Sequence, residues 1–215
     1  MNNNDIYIIG AGTYGEVMYE LAVCMKLNVI GFFDEDVAKH GKYLMGREIL
    51  GSFSSLDSST IKNKSFIVAV GNNKSRLSIM ESIMENNGNI PTLIHPSANI
   101  SPSTEIGKGV YIHANVTVWT KASIGDYSIL SPNVVIAHHT KVGKACLIST
   151  LSSIGASIEL GNNVFVGMGS TIMTGISNIG DNTIIGAGAV LVKNAEQDSV
   201  YAGVPARKIR KINKN

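Results

Sequence analysis

Between Ile94 and Ile172 an apolar branched residue returns at every sixth position. The series runs Ile94, Ile100, Ile106, Ile112, Val118, Ile124, Leu130, Ile136, Val142, Ile148, Ile154, Leu160, Val166 and Ile172, fourteen positions without a miss. One inserted residue then moves the phase, and Ile179, Ile185 and Leu191 carry it on. Four residues after each hit the side chain is small or β-branched, as at Ala98, Thr104, Val110, Val116, Ala122, Ser128, Val134, Thr140 and Cys146. A six-residue period matches neither the helical 3.6 nor the plain-strand 2. It is the period of a parallel β-helix, where each hexapeptide gives a short strand and a turn and three make one triangular coil. Each branched residue is then predicted to point into a prism and stack on its equivalent eighteen residues away, with coils about 4.8 Å apart. Asn99, Asn115, Asn133 and Asn163 suit left-handed backbone at the corners.

The first ninety or so residues follow another rhythm. Ile6-Tyr7-Ile8-Ile9 reads as a buried strand running into Gly10-Ala11-Gly12-Thr13-Tyr14-Gly15 and a helical stretch from Glu16 to about Met25. Val29 to Phe33 is a second strand ending at Asp34-Glu35-Asp36, and Ser65 to Val70 a third, ending at Gly71-Asn72-Asn73 before an amphipathic helix. A G-x-G-x-x-G turn in a βαβ unit, with an acid after the second strand, points to a nucleotide. The segment is half of a full doubly wound domain, so one mononucleotide-like unit is expected. Its glycines let the backbone approach a phosphate at a helix N-terminus, or serve only the tight turn. Lys74 and Arg76 either face such a phosphate or begin a solvated helix. The predicted organisation is an α/β half-Rossmann domain over residues 1–92 followed by a β-helix over 93–215 with a basic C-terminal tail.

Composition narrows the partners. A net charge of +2 gives no global nucleic-acid signal. No apolar run reaches the eighteen residues of a membrane span. The first residues lack the basic and apolar regions of a secretory signal. Two widely separated cysteines, Cys24 and Cys146, fit a reducing compartment. A cytoplasmic location is therefore expected.

Histidine is the residue type most able to carry chemistry here. His95 and His113 follow ladder residues eighteen apart and should stack, either structurally or around a metal. His138 and His139 follow Ile136 and Ala137 at a predicted corner, projecting outward, where an imidazole can serve as a general base. There is no G-x-S-x-G elbow, no phosphate-binding Walker loop and no cysteine cluster for zinc, and no metal is expected. Five of the last nine residues are Lys or Arg, a solvated end or a contact for a phosphorylated ligand.

Several stretches together resemble a bacterial family of sugar O- and N-acyltransferases that includes sialic-acid O-acetyltransferases and nucleotide-aminosugar N-acetyltransferases. They are Ile8-Ile9-Gly10-Ala11-Gly12, Phe33-Asp34-Glu35, Ala69-Val70-Gly71-Asn72-Asn73, Leu93-Ile94-His95-Pro96-Ser97-Ala98, the hexapeptides, Gly186-Ala187-Gly188-Ala189-Val190 and Tyr201-Ala202-Gly203-Val204-Pro205-Ala206. The resemblance implies a left-handed β-helix, a homotrimer with active sites between subunits, and acetyl-CoA as co-substrate. It implies His138 as the catalytic base, with His139 where the family usually has an acid. By the same matching, Gly12, Thr13, Tyr14, Asp34, Glu35 and Gly71 would bind the acceptor, and Met168 and Ala187 would line the acetyl-CoA groove. Leu147 stands where a second histidine is common, so its contact with the coenzyme would be apolar or through backbone. The implied reaction is direct N-acetylation of a nucleotide-linked, UDP-type 4-amino-4,6-dideoxy sugar in a ternary complex. Sialic-acid O-acetylation and a non-catalytic sugar-nucleotide binding protein are the alternatives.

Overall fold

The computed structural model describes residues 4–212, and the chain divides into two compact units, Met1–Leu93 and Ile94–Asn215. In the first, β1 (Asp5–Ile9), β2 (Asn28–Phe33) and β5 (Ser65–Val68) form a parallel sheet in the order β2-β1-β5. Between β2 and β5 lie a short antiparallel pair, β3 (Tyr43–Leu44) and β4 (Arg47–Glu48), and the single-turn helix α2 (Ser58–Ile61). Helix α1 (Thr13–Cys24) connects β1 to β2, and α3 (Asn73–Glu85) follows β5. Ile6, Ile8, Phe32, Phe66 and Ile67 are almost wholly buried, as the apolar runs require of a parallel sheet between layers. Met18 of α1 and Met80 and Ile83 of α3 are buried with them.

The second unit is the β-helix that the sixfold period predicts. Its two-residue strands form three parallel ladders, one per face of a prism. The first face starts at Leu93–Ile94, the second at Asn99–Ile100 and the third at Glu105–Ile106. Partners are eighteen residues apart, for example Val118 with Ile136 and Ile136 with Ile154. Every ladder residue from Ile112 to Leu191 is nearly inaccessible and joins one continuous core. The inserted residue falls at Thr174-Gly175-Ile176, where Gly175 has φ +102 and the following strand pairs stay in phase.

The small side chains four places after each hit also point inward. Several of them are hydroxyls that donate to a carbonyl one coil on, among them Ser128 Oγ to Gly143 O at 2.8 Å, Thr140 Oγ1 to Gly155 O at 2.6 Å and Ser152 Oγ to Gly167 O at 2.9 Å. Buried hydroxyls are tolerated because they are satisfied. The corners hold non-glycine residues in left-handed backbone, among them Asn115, Asn133 and Asn163 but also Lys121, Tyr127, His139, Ala145, Leu151 and Ser157. Asn99 is a strand residue paired with Thr117 rather than a corner. Gly143 is required by close approach, since a Cβ there would collide with Gly161 O and with Asn162 N at 2.9 Å.

The basic C-terminal segment is a strand. Ala206–Lys211 pairs antiparallel with Ser199–Gly203 at the end of the first face, and Lys208 Nζ lies 2.6 Å from Glu196 Oε2. This segment was expected to be a free tail. Alternation hides it: Ala206 is buried while Arg207, Ile209, Arg210 and Lys211 face solvent.

His113 is buried, and burial, with His95 one coil before it, pushes its pKa down from 6.5 to about 4. The folded state keeps this imidazole neutral where the unfolded chain takes up a proton. Its contribution is therefore full above about pH 6.5 and is lost as pH falls toward 4, by about 3 kcal/mol in total. Urea unfolding at steps from pH 7.5 to 4.5 should show this loss in the wild type, and a visibly flatter dependence in His113→Gln.

Candidate active site

In the first unit, the carboxyl ends of β1, β2 and β5 come side by side, which is where an open parallel sheet offers a ligand crevice. The glycines there fall into two classes. Gly10 has φ +105, and a Cβ would lie 2.6 Å from Ala69 O; a Cβ on Gly15 would strike Gly10 O. Those two are demanded by the chain's own packing. Gly12 and Gly71 are exposed, and a Cβ on either would meet nothing within 4 Å. Gly12 sits at φ −107 as the N-cap of α1, with no side chain capping the first turn. The N–H groups at the start of that helix, next to Thr13, suit an anionic group.

The acids expected to meet the acceptor are tied into the loops. Asp34 Oδ2 accepts from Ala11 N at 2.8 Å and pairs with Lys39 Nζ at 3.0 Å, while Oδ1 accepts from Asp36 N at 2.9 Å. Burial works to raise its pKa, but the hydrogen bonds from Asp36, Lys39 and Ala11 outweigh it and hold the carboxyl below its usual value. Glu35 accepts from Ser54 N at 3.0 Å and from Ser54 Oγ at 2.6 Å, and these bonds lower its pKa. Asp34 thus fastens the glycine turn to the end of β2, and Glu35 fastens the loop at Ser54. Tyr14 carries a buried hydroxyl, whose pKa burial pushes up to about 12 against the pull of Arg76. Arg76 is fully buried, with Nη1 donating to Val70 O at 3.2 Å. It braces the end of β5 from below rather than starting a solvated helix, whereas Lys74 is exposed.

In the second unit, His138 and His139 are exposed at the corner between the second and third faces. Their backbone is held by neighbouring coils: His139 N donates to Thr120 O at 3.0 Å, and Ser157 N donates to His138 O at 3.0 Å. His139 has φ +61. The two Nδ1 atoms are 3.1 Å apart, with the rings nearly perpendicular at 88°. Trp119 lies beside His138, its ring 6.4 Å away and 27° from parallel. It is the chain's single tryptophan and is 49% exposed, unusual for so large an apolar side chain. The sequence reading passed over Trp119. Its signal was available: it stands directly after ladder residue Val118, eighteen residues before Ala137.

The residues expected to line the coenzyme groove lie elsewhere on the prism. Leu147 is half-buried on the first face, in register with Phe165. Met168 and Ala187 are exposed on successive coils at the corner between the first and second faces. Within one chain the second face separates them from His138. Among the described residues no cluster of three or more His, Cys, Asp or Glu could hold a metal, and no helix is long and apolar enough to cross a membrane. His95 Nδ1 meets Ser97 Oγ at 2.8 Å.

Comparison with known proteins agrees with both halves. Residues 5–83 match the PglD N-terminal domain, and residues 103–138 match the bacterial transferase hexapeptide (six repeats). GDP-perosamine N-acetyltransferase of Escherichia coli O157:H7 is 29% identical over 187 residues, 84% of this chain and 82% of that protein. The crystal structure of PerB from Caulobacter crescentus, in complex with CoA and GDP-perosamine, is 28% identical with a TM-score of 0.85, covering 97% of this chain and 98% of that one. The acetyltransferase domain of PglB from Neisseria gonorrhoeae, in complex with acetyl coenzyme A, is 30% identical with a TM-score of 0.57, covering 97% of this chain and 100% of that one. The fold and these comparisons therefore define a hexapeptide-repeat acyltransferase scaffold. Within that class, the chain belongs to the left-handed β-helix sugar acetyltransferases that carry a PglD-type N-terminal domain.

Removing the Asp34 carboxylate should loosen the crevice through the turn it fastens. Asp34→Ala is expected to cost about 1–3 kcal/mol in urea unfolding at pH 7, the loss for orphaning partly buried donors. Because the folded pKa is depressed, the contribution is full above about pH 4 and fades as pH falls through the lowered value. The wild type and Asp34→Ala should therefore converge in strong acid.

Proposed function

We propose that this protein transfers an acetyl group from acetyl-CoA to the amine of a nucleotide-linked amino sugar, with His138 as general base. The observation that carries this reading is the exposed imidazole at a prism corner, beside Trp119 and His139, in a chain whose relatives are named for this reaction. The expectation of a UDP sugar meets relatives named for or bound to GDP-perosamine, so a GDP-linked amino sugar is the first acceptor to test. The crevice at Gly12, Thr13 and Gly71 is the proposed seat of the nucleotide. Asp34, Glu35 and Tyr14 shape it from behind.

The chemistry is direct. The neutral amine attacks the thioester carbonyl, a C–N bond forms, and the C–S bond breaks. The proton leaving nitrogen passes to His138 Nε2 and then to the departing thiolate. A thioester is activated enough that no covalent enzyme intermediate is needed, and holding both substrates together supplies much of the barrier reduction. Backbone N–H groups at the corners are the proposed partners of the developing oxyanion. Met168 and Ala187 occupy a different corner from His138, so a groove shared by two prisms would bring coenzyme-lining residues to the base. That supports the homotrimer with sites between subunits.

The test is thiol release from acetyl-CoA with a panel of GDP- and UDP-linked amino sugars and sialic acid. Amino-sugar-dependent release is expected. Release only with sialic acid would make the enzyme an O-acetyltransferase, and release with none would leave a binding protein. His138→Ala should lower kcat by about 10²–10⁴-fold with acetyl-CoA affinity little changed in calorimetry. Near-normal turnover in that variant would remove His138 from the role.

A further inference from the structure

The two imidazoles at the corner meet through the same kind of nitrogen. With the Nδ1 atoms 3.1 Å apart, one ring must carry its proton there and the other must present a lone pair. The two assignments are not equivalent. If His138 donates, its Nε2 is bare and basic. If His139 donates, His138 carries its own proton on Nε2 and is blocked as a base.

No acid of the described residues decides between them. Among the described residues no carboxylate makes a hydrogen bond to either ring. On the preceding coil the corner holds Thr120 and Lys121, and on the following coil Ala156 and Ser157. The next acid along the third face, Glu159, is closed on Lys141 at 2.7 Å. Trp119, stacked beside His138, is neutral.

We propose that His139 is the positioning residue of the site. In its neutral form it accepts a hydrogen bond from His138 Nδ1–H, which leaves His138 Nε2 as the base, with Trp119 beside the His138 ring. This rests on the reading of His138 as the base of acetyl transfer. The chemistry follows from the geometry: a lone pair at 3.1 Å fixes tautomer and rotation as a carboxylate would, without its charge. A proton taken up by either ring ends the arrangement. On His138 it occupies Nε2; on His139 it turns the acceptor into a donor and reverses the bond. The active pair is therefore the one in which both rings are neutral.

The corner backbone makes this testable by substitution. His139 has φ +61, and its equivalents on adjacent coils, Lys121 and Ser157, have φ +55 and +59. A lysine already fits this conformation, and Asn and Asp are among the residues that adopt it most readily. His139→Asn and His139→Asp keep an acceptor facing His138, His139→Ala removes it, and His139→Lys offers donors only. In kcat for the best acceptor, Asn and Asp should lose least, Ala about 10-fold, and Lys about 10²-fold or more, within the range for general-base catalysis. KM for acetyl-CoA should move little. In His139→Asp the acid limb of the kcat/KM profile should shift up by about one pH unit or more, because a carboxylate favours the imidazolium. A lysine variant as active as the asparagine one, or an unmoved acid limb in the aspartate one, would overturn the proposal.

A second readout needs no substrate. Long-range proton–nitrogen NMR of ¹⁵N-histidine-labelled wild-type protein at pH 8, assigned with His138→Ala and His139→Ala, should show His138 protonated at Nδ1 and His139 at Nε2. His138 protonated at Nε2 would refute the assignment whatever the assay shows. If wild type releases thiol with no acceptor, the transfer reading fails, and the NMR result alone decides the tautomer.

Discussion

The structure depends on a single registry, the eighteen-residue offset that lays each coil on the last. Each inward residue is in van der Waals reach of its equivalents above and below, so a continuous apolar column replaces a globular core. The same offset pairs each two-residue strand with its neighbours and sends most corner N–H groups to carbonyls one coil away. Two residues are far too few to make a stable strand alone. They hold because every face is a parallel ladder several coils deep. The inward hydroxyls of Ser128, Thr140 and Ser152 obey the rule too, each using a carbonyl that the offset places in reach.

Much of this was legible in the chain because the hexapeptide repeats its own evidence. A branched residue recurring fourteen times admits one geometry, and the strands, inward faces and phase shift near residue 175 all follow from it. The period did not reveal handedness; that came from the resemblance and agrees with the family. The closing strand at Ala206–Lys211 was hidden because five of its six residues are basic or exposed, and an edge strand with one buried side chain looks like a tail. Asn99 was misplaced because asparagine signals a corner only when the six-residue phase agrees, and its phase is that of a strand.

The site was legible to differing depth. His138 and His139 stood out as the outward pair at a corner, and they do lie together. The roles of Asp34 and Glu35 were not visible, since only three dimensions show Ala11, Lys39 and Ser54 converging on those carboxylates. Similarly, the sequence could not separate Gly10 and Gly15, which packing demands, from Gly12 and Gly71, which nothing in the chain requires. Arg76 read as surface because charge is a poor guide to burial when the partner is a backbone carbonyl. Trp119 went unnoticed because it is a single residue, and its equivalents on the adjacent coils, Ser101 and Ala137, are small.

The left-handed corner has an evolutionary corollary. Lys121, His139 and Ser157 share one backbone conformation on three stacked coils, each secured by ladders that make no use of the side chain. Among side chains that tolerate this backbone, the scaffold accepts lysine, histidine and serine alike. A new functional group of that kind can be tried at such a rung by one codon change.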